Sequence, residues 1–159
     1  MKNKRILFMT QAAMVAAIYV VLTIMFRPFS FGEVQVRIAE ALTILPFFTP
    51  AAIPGLFIGC LIGNILGGAV LPDIVFGSMA TFIGACGTYL LRDRSKYLAP
   101  LPPIVANTLI VPLVLRYAYG FELPLPLLMV TIGIGEIISC GVLGVIMLST
   151  LEKYRHKIF

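Results

Sequence analysis

FGEVQVRIAEALTIL, residues 31–45, puts Arg37 and Glu40 three positions apart at the head of an otherwise apolar, helix-like run. The surroundings make that placement costly. Of 159 residues, 60% are hydrophobic and 12% charged, and the mean hydropathy is +1.03, too apolar for a soluble domain of this size. An ionisable side chain at the centre of a membrane helix costs about 2.5 to 3.5 kcal/mol and persists where a partner, a watery cavity or a ligand meets it. Arg37 and Glu40 are therefore functional candidates from the outset.

The apolar runs predict an all-α membrane protein with six transmembrane helices in one bundle, over 6–25, 34–49, 51–71, 74–91, 98–115 and 125–151, so that 1–159 is a single domain. The second run is short and begins with charge. The fifth is interrupted by Pro100, Pro102, Pro103 and Pro112, and the sixth carries Glu136. The net charge of +5 is explained by topology: Lys2, Lys4 and Arg5, then Arg92, Arg94 and Lys96, then Lys153, Arg155 and Lys157 all fall on one side of a six-pass bundle. The positive-inside bias makes that side, with both termini, cytoplasmic, and removes the need for a nucleic-acid partner. The first run has no small-residue cleavage site and reads as a retained helix. Outer connections are expected at 26–34, 71–73 and 116–124.

Two small-residue faces stand out. Gly55, Gly59, Gly63 and Gly67 recur every four residues, and Ala12 and Ala16 lie four apart with Ala13 and Ala17 beside them. Membrane helices associate through such faces because backbones approach closely there. The glycine stripe reads as packing within the bundle, and the alanine face as packing or as a landing place for another protein.

Catalysis finds no support. The one histidine, His156, lies in the basic tail, no Ser/His/Asp or Cys/His set can be assembled, and no glycine is followed by lysine as a Walker loop requires. Cys60, Cys86 and Cys140 have no metal-ligand or disulfide spacing and read as small packing residues, so no metal is expected. The polar residues left in the bundle are Arg37, Glu40, Asn64, Asp73, Asn107 and Glu136. At about 1.5 Å per residue, Glu136 lies roughly 17 Å into the sixth run and Asn107 roughly 14 Å into the fifth, both near the midplane. Arg37 and Glu40 either neutralise one another at helical spacing or face a ligand. Asp73, after Pro72, reads as a helix N-cap. Asn64 and Asn107 either bond between helices or contact a ligand, and Glu136, with no basic residue in its own helix, reads as a ligand group. Phe29, Phe31, Tyr117, Tyr119 and Phe121 flank the expected outer mouth, mainly as an interfacial belt.

Three blocks, FGEVQVRIAEALTILPFF (31–48), PAAIPGLFIGCLIGNIL (50–66) and PDIVFGSMATFIGA (72–85), resemble the QueT family of queuosine-precursor transporters, the S-components of energy-coupling factor (ECF) transporters. Val36 stands where an aromatic residue is expected. The resemblance implies the ECF S-component fold in a bacterial cell membrane, capturing a deazaguanine base such as the 7-cyano or 7-aminomethyl form or queuine. It implies a coupling subunit, EcfT, and ATPases, EcfA and EcfA′, which would hold ATP and Mg; this chain would carry no cofactor. It also implies docking through the alanines of the first helix, which match Ala12 with Ala16 and Ala13 with Ala17. A guanine-like edge presents adjacent N–H donors that a carboxylate accepts in a two-pronged pair. Glu40 or Glu136 suits that edge, with the other acid meeting an aminomethyl cation, Arg37 donating to the ring carbonyl, Asn64 or Asn107 completing the set, and Phe31 and Asp73 as weaker members. An S-component for another vitamin and a stand-alone proton-coupled carrier are the rival readings.

Overall fold

A computed structural model describes residues 2–31 and 35–158. Helix α1 (Lys2–Met25) leads into a single turn, α2 (Arg27–Ser30). A 3-10 segment (Ile38–Phe47) follows, then α3 (Ala52–Gly67), α4 (Leu71–Leu91) and α5 (Leu101–Tyr117). The last long rod is α6 (Leu125–Glu136), a π-helical stretch (Ile137–Leu143) and α7 (Gly144–Lys153), ending in the short α8 (Arg155–Ile158). No strand occurs among the described residues.

Four stretches are long and apolar enough to cross a membrane: Asn3–Met25, Leu71–Leu91, Lys96–Tyr117 and Leu125–Lys153. The other two expected spans are shorter. Ala52–Gly67 has 16 residues and Ile38–Phe47 has 10, against the roughly 20 that a helix needs to span a bilayer core. The expected start at Val34 lies outside the described residues. Helix α4 begins at Leu71 instead of residue 74, because Pro72 is accommodated in the first turn, where its missing N–H has no partner to lose. The expected turn at 71–73 is thus already helix, and the chain reverses at 68–70, where Gly68 takes φ 79° and donates to the carbonyls of Asn64 and Ile65. Pro102 and Pro103 likewise sit in the opening turn of α5.

The short second element is no lipid-facing span. Ala39 through Pro46 are all buried, and the segment packs against α1, α3, α4, α7 and the π stretch, forming the axis of the bundle. Around it, α3 packs on α1 and α4, α4 on α5, and α5 on α6. Apolar side chains such as Met9, Val21, Leu66, Phe76, Leu90 and Ile146 face outward, while Glu40, Asn64, Asn107 and Glu136 are enclosed, an inversion suited to lipid.

The glycine stripe of α3 is the bed on which α1 lies. A Cβ at Gly55 would stand 2.6 Å from the Ala12 carbonyl oxygen, one at Gly59 3.0 Å from the Ala16 Cα, and one at Gly63 3.2 Å from Thr23 Oγ1. Ala12 and Ala16 are thereby taken up inside the chain, whereas Ala13 and Ala17 are exposed. The expected docking face is divided: the first pair is spent on internal packing and only the second is open to another helix.

Candidate binding site

In a 3-10 helix residues i and i+3 eclipse, so Glu40 and Thr43 stand in one row, with Arg37 at the cap above them. That row meets the π stretch, where Cys140 Sγ lies 3.5 Å from Thr43 Oγ1 and 3.4 Å from the Glu40 carbonyl oxygen. Gly135 permits the approach: a Cβ there would collide with the Gln35 carbonyl oxygen. Gln35 and Val36 therefore lie directly against the helical turn that carries Glu136.

Glu40, fully buried, is held by three elements at once. Its Oε1 accepts from the Tyr19 hydroxyl of α1 and from Thr81 Oγ1 of α4 at 3.0 Å, and its Oε2 faces Asn107 Nδ2 of α5 at 3.4 Å. Glu136 has a lighter harness, the Cys140 thiol donating to its Oε2 at 3.2 Å. Carboxylate oxygens of Glu40 and Glu136 and the Cys140 sulfur lie within 4.8 Å of one another, a grouping with the reach to hold a cation. Asn107 Oδ1, wholly buried beside this pair, has no hydrogen-bond partner among the described residues.

A second group lies toward the 68–70 turn. Arg37 Nη2 donates to Asn64 Oδ1 at 2.7 Å and reaches Cys60 Sγ at 3.7 Å. Asn64 Nδ2 donates to the Asp73 carbonyl at 3.4 Å, and the Tyr119 hydroxyl donates to Asp73 Oδ2 at 2.9 Å. Burial, then the Asp73 carboxylate, push the Tyr119 phenol up to about 12, so it remains a donor at neutral pH. Gly77 lets three polar groups close in here. The point a Cβ would occupy is 3.0 Å from Asp73 Oδ1, 3.3 Å from Asn64 Nδ2 and 3.9 Å from Arg37 Nη1. The two groups are joined by Cys60 and Thr81, whose sulfur and hydroxyl are 3.4 Å apart.

Arg37, Glu40, Asn64, Asp73, Asn107 and Glu136 are thus all buried along one continuous polar path. The family model for the QueT transporter matches residues 9–153 of this chain. The chain belongs to the QueT transporter family. The queuosine precursor transporter QueT of Lactococcus lactis subsp. cremoris is 34% identical over 98 residues, a match covering 60% of this chain and 57% of that relative. No solved structure matches. For a QueT-family chain the path lies wholly inside the matched region.

Three sequence expectations change. Of the two readings of Arg37 and Glu40, the direct ion pair is the one not seen: the ion pairs among the described residues are Arg92–Asp93 and Lys96–Glu152, both outside the buried path. Asp73 caps nothing; Val70 occupies the N-cap position, and the Asp73 carboxylate turns inward to Tyr119. Cys60 and Cys140 are no mere packing residues, since both sit within the polar path. Phe31 lies over Gly67, closing the end of the α1–α3 seam. Tyr19, Thr81 and Gln35 were missed. The first two carried a faint signal, a hydroxyl in an apolar helix, shared in α1 with Thr10 and Thr23 and in α4 with Ser78 and Thr88; Gln35, buried ahead of Arg37, carried none.

Proposed function

We propose that this chain is the substrate-binding S-component of an ECF-type importer for a queuosine precursor, a 7-deazaguanine base taken from outside the cell. The two short elements complete six passes with both termini in the cytoplasm, and the base is delivered to EcfT and driven by ATP at EcfA and EcfA′. The observation that carries the reading is the convergence of buried donors and acceptors around Gly77, within a bundle whose outer surface is apolar. The Asp73 carboxylate accepts the adjacent N–H donors of the guanine-like edge, Oδ2 doing so alongside the Tyr119 hydroxyl, Arg37 Nη1 donates to the ring carbonyl, and Asn64 holds Arg37 in place. Glu40, with both oxygens already facing donors, orients the site without gripping that edge. Family membership and the name of the Lactococcus relative favour the same substrate class.

Isothermal titration of the purified chain tests this. Saturable binding of 7-deazaguanine bases is expected, with no heat from riboflavin, thiamine or biotin. Asp73→Asn is expected to weaken every deazaguanine by roughly tenfold or more, the cost of losing a charged acceptor from a dry site. Binding of a vitamin instead of the bases would reassign the substrate.

A further inference from the structure

We propose that the groove between α1 and α7 seats one acyl chain of an anionic phospholipid, whose phosphate is held by Lys4 and Arg155. The proposal is independent of the substrate and of the buried polar path. Helices α1 and α7 each pack on the 3-10 segment. Between them runs an open groove of about 460 Å3, walled by Leu7, Met14 and Ile18 of α1, Leu45 of the 3-10 segment, and Met147 and Leu151 of α7. The hydroxyls of Thr10 and Thr49, which also line it, donate within the protein, to the Ile6 carbonyl and to Gln11 Oε1, both at 2.9 Å. The walls therefore offer an occupant mainly hydrocarbon, which suits a lipid tail and not a polar solute.

Length narrows the class of occupant. Leu7 to Ile18 covers roughly 16 Å at about 1.5 Å per residue, about half of a hydrocarbon core roughly 30 Å thick. That is the depth of one leaflet, whereas a partner's transmembrane helix runs the full thickness. Charge narrows it further. Tyr19 meets Glu40 and Gln11 meets Thr49, so the 3-10 segment runs toward the start of α1. Cys140 lies beside Glu40 and Thr43, and a Cβ at Gly144 would meet Ile44, so α7 runs the same way. The start of α1 and the end of α7 thus share one end of the groove. Lys4 lies one turn before Leu7 on the same face of α1, and Arg155 four residues past Leu151, both exposed. Neither forms an ion pair among the described residues, and Glu152, the acid at this end, is engaged with Lys96 at 3.1 Å. Basic side chains at the edge of the hydrocarbon favour a headgroup of net negative charge, by roughly fivefold for each Lys or Arg. Ala13 and Ala17 point roughly a third of a turn away round α1, so the lipid leaves open the face proposed for the coupling subunit. In the proposed topology the lipid belongs to the cytoplasmic leaflet.

The test is lipid binding by the intact purified chain, read by native mass spectrometry, with phosphatidylglycerol and phosphatidylcholine of identical acyl chains. Retention of phosphatidylglycerol is expected with an affinity roughly 10- to 30-fold above that for phosphatidylcholine, a preference that shrinks as NaCl is raised. In the double variant Lys4→Gln, Arg155→Gln that ratio is expected to fall toward one. In Met14→Trp, at an exposed position where the indole fills the groove, retention of both lipids is expected to be lost. Equal retention of the two lipids, or a preference that survives the double variant, overturns the headgroup assignment. Retention unchanged in Met14→Trp overturns the groove. Loss of co-purification with the coupling subunit in Met14→Trp, with lipid still retained, would give the groove to a protein partner and overturn the proposal as well. Base binding enters none of these outcomes, so the substrate reading stands or falls separately. The wild-type contrast between the two lipids decides the matter even where a variant does not fold.

Discussion

At the scale of the residue, the chemistry is set by what each polar group has left to give. Glu40 faces three donors, Glu136 accepts from the Cys140 thiol, and Asn107 Oδ1 has no partner among the described residues. An unpartnered polar atom in a dry interior costs about 1 to 3 kcal/mol, a cost that a ligand removes on binding. Gly77 has a different role, letting polar groups approach where a side chain would stand. Gly77→Ala is expected to lower base affinity about tenfold or more, by setting a methyl among Asp73 Oδ1, Asn64 Nδ2 and Arg37 Nη1. Titration of the variant beside its melting curve checks this: unchanged affinity would show that the base does not touch this group. Which residue types matter was legible in the sequence, because buried ionisable groups are expensive wherever they fall. Their partners were not, since Tyr19 and Thr81 meet Glu40 from 21 and 41 positions away.

At the scale of the element, two departures from the α-helix build the site. The 3-10 segment carries a row of every third residue toward the π stretch, and the π stretch widens the last rod where Glu136 and Cys140 turn inward. Neither departure was readable from hydropathy, which reports apolar length and not hydrogen-bond register. The small-residue faces were readable, but not their allocation. Ala16→Leu is expected to lower the melting temperature of the purified protein by several degrees, since it drives a branched side chain into the Gly59 backbone and costs about 1 to 3 kcal/mol. Ala17→Leu, on the exposed face, is expected to leave both melting and base binding unchanged while reducing co-purification with the coupling subunit. The reverse pattern would place the partner elsewhere.

At the scale of the whole molecule, an apolar shell surrounds a polar path, and in the proposed importer the work comes from the ATPase subunits. Uptake of labelled base by cells expressing the chain is therefore expected to fall to background when the ATPase subunits are deleted, and to persist when the proton gradient is collapsed with ATP maintained. Uptake that follows the gradient without the ATPases would favour the proton-coupled carrier. Composition and periodicity alone determined that this is an all-α membrane protein, near where its long helices run, and which ionisable residues are too costly to be idle; these follow from transfer free energies, which belong to residues one at a time. Only the tertiary structure decided that Arg37 pairs with Asn64 and not with Glu40, that Ala16 faces Gly59, and that Glu136 stands beside Glu40. Those are relations between segments distant in sequence, and close packing selects them from among many pairings that hydropathy leaves equal.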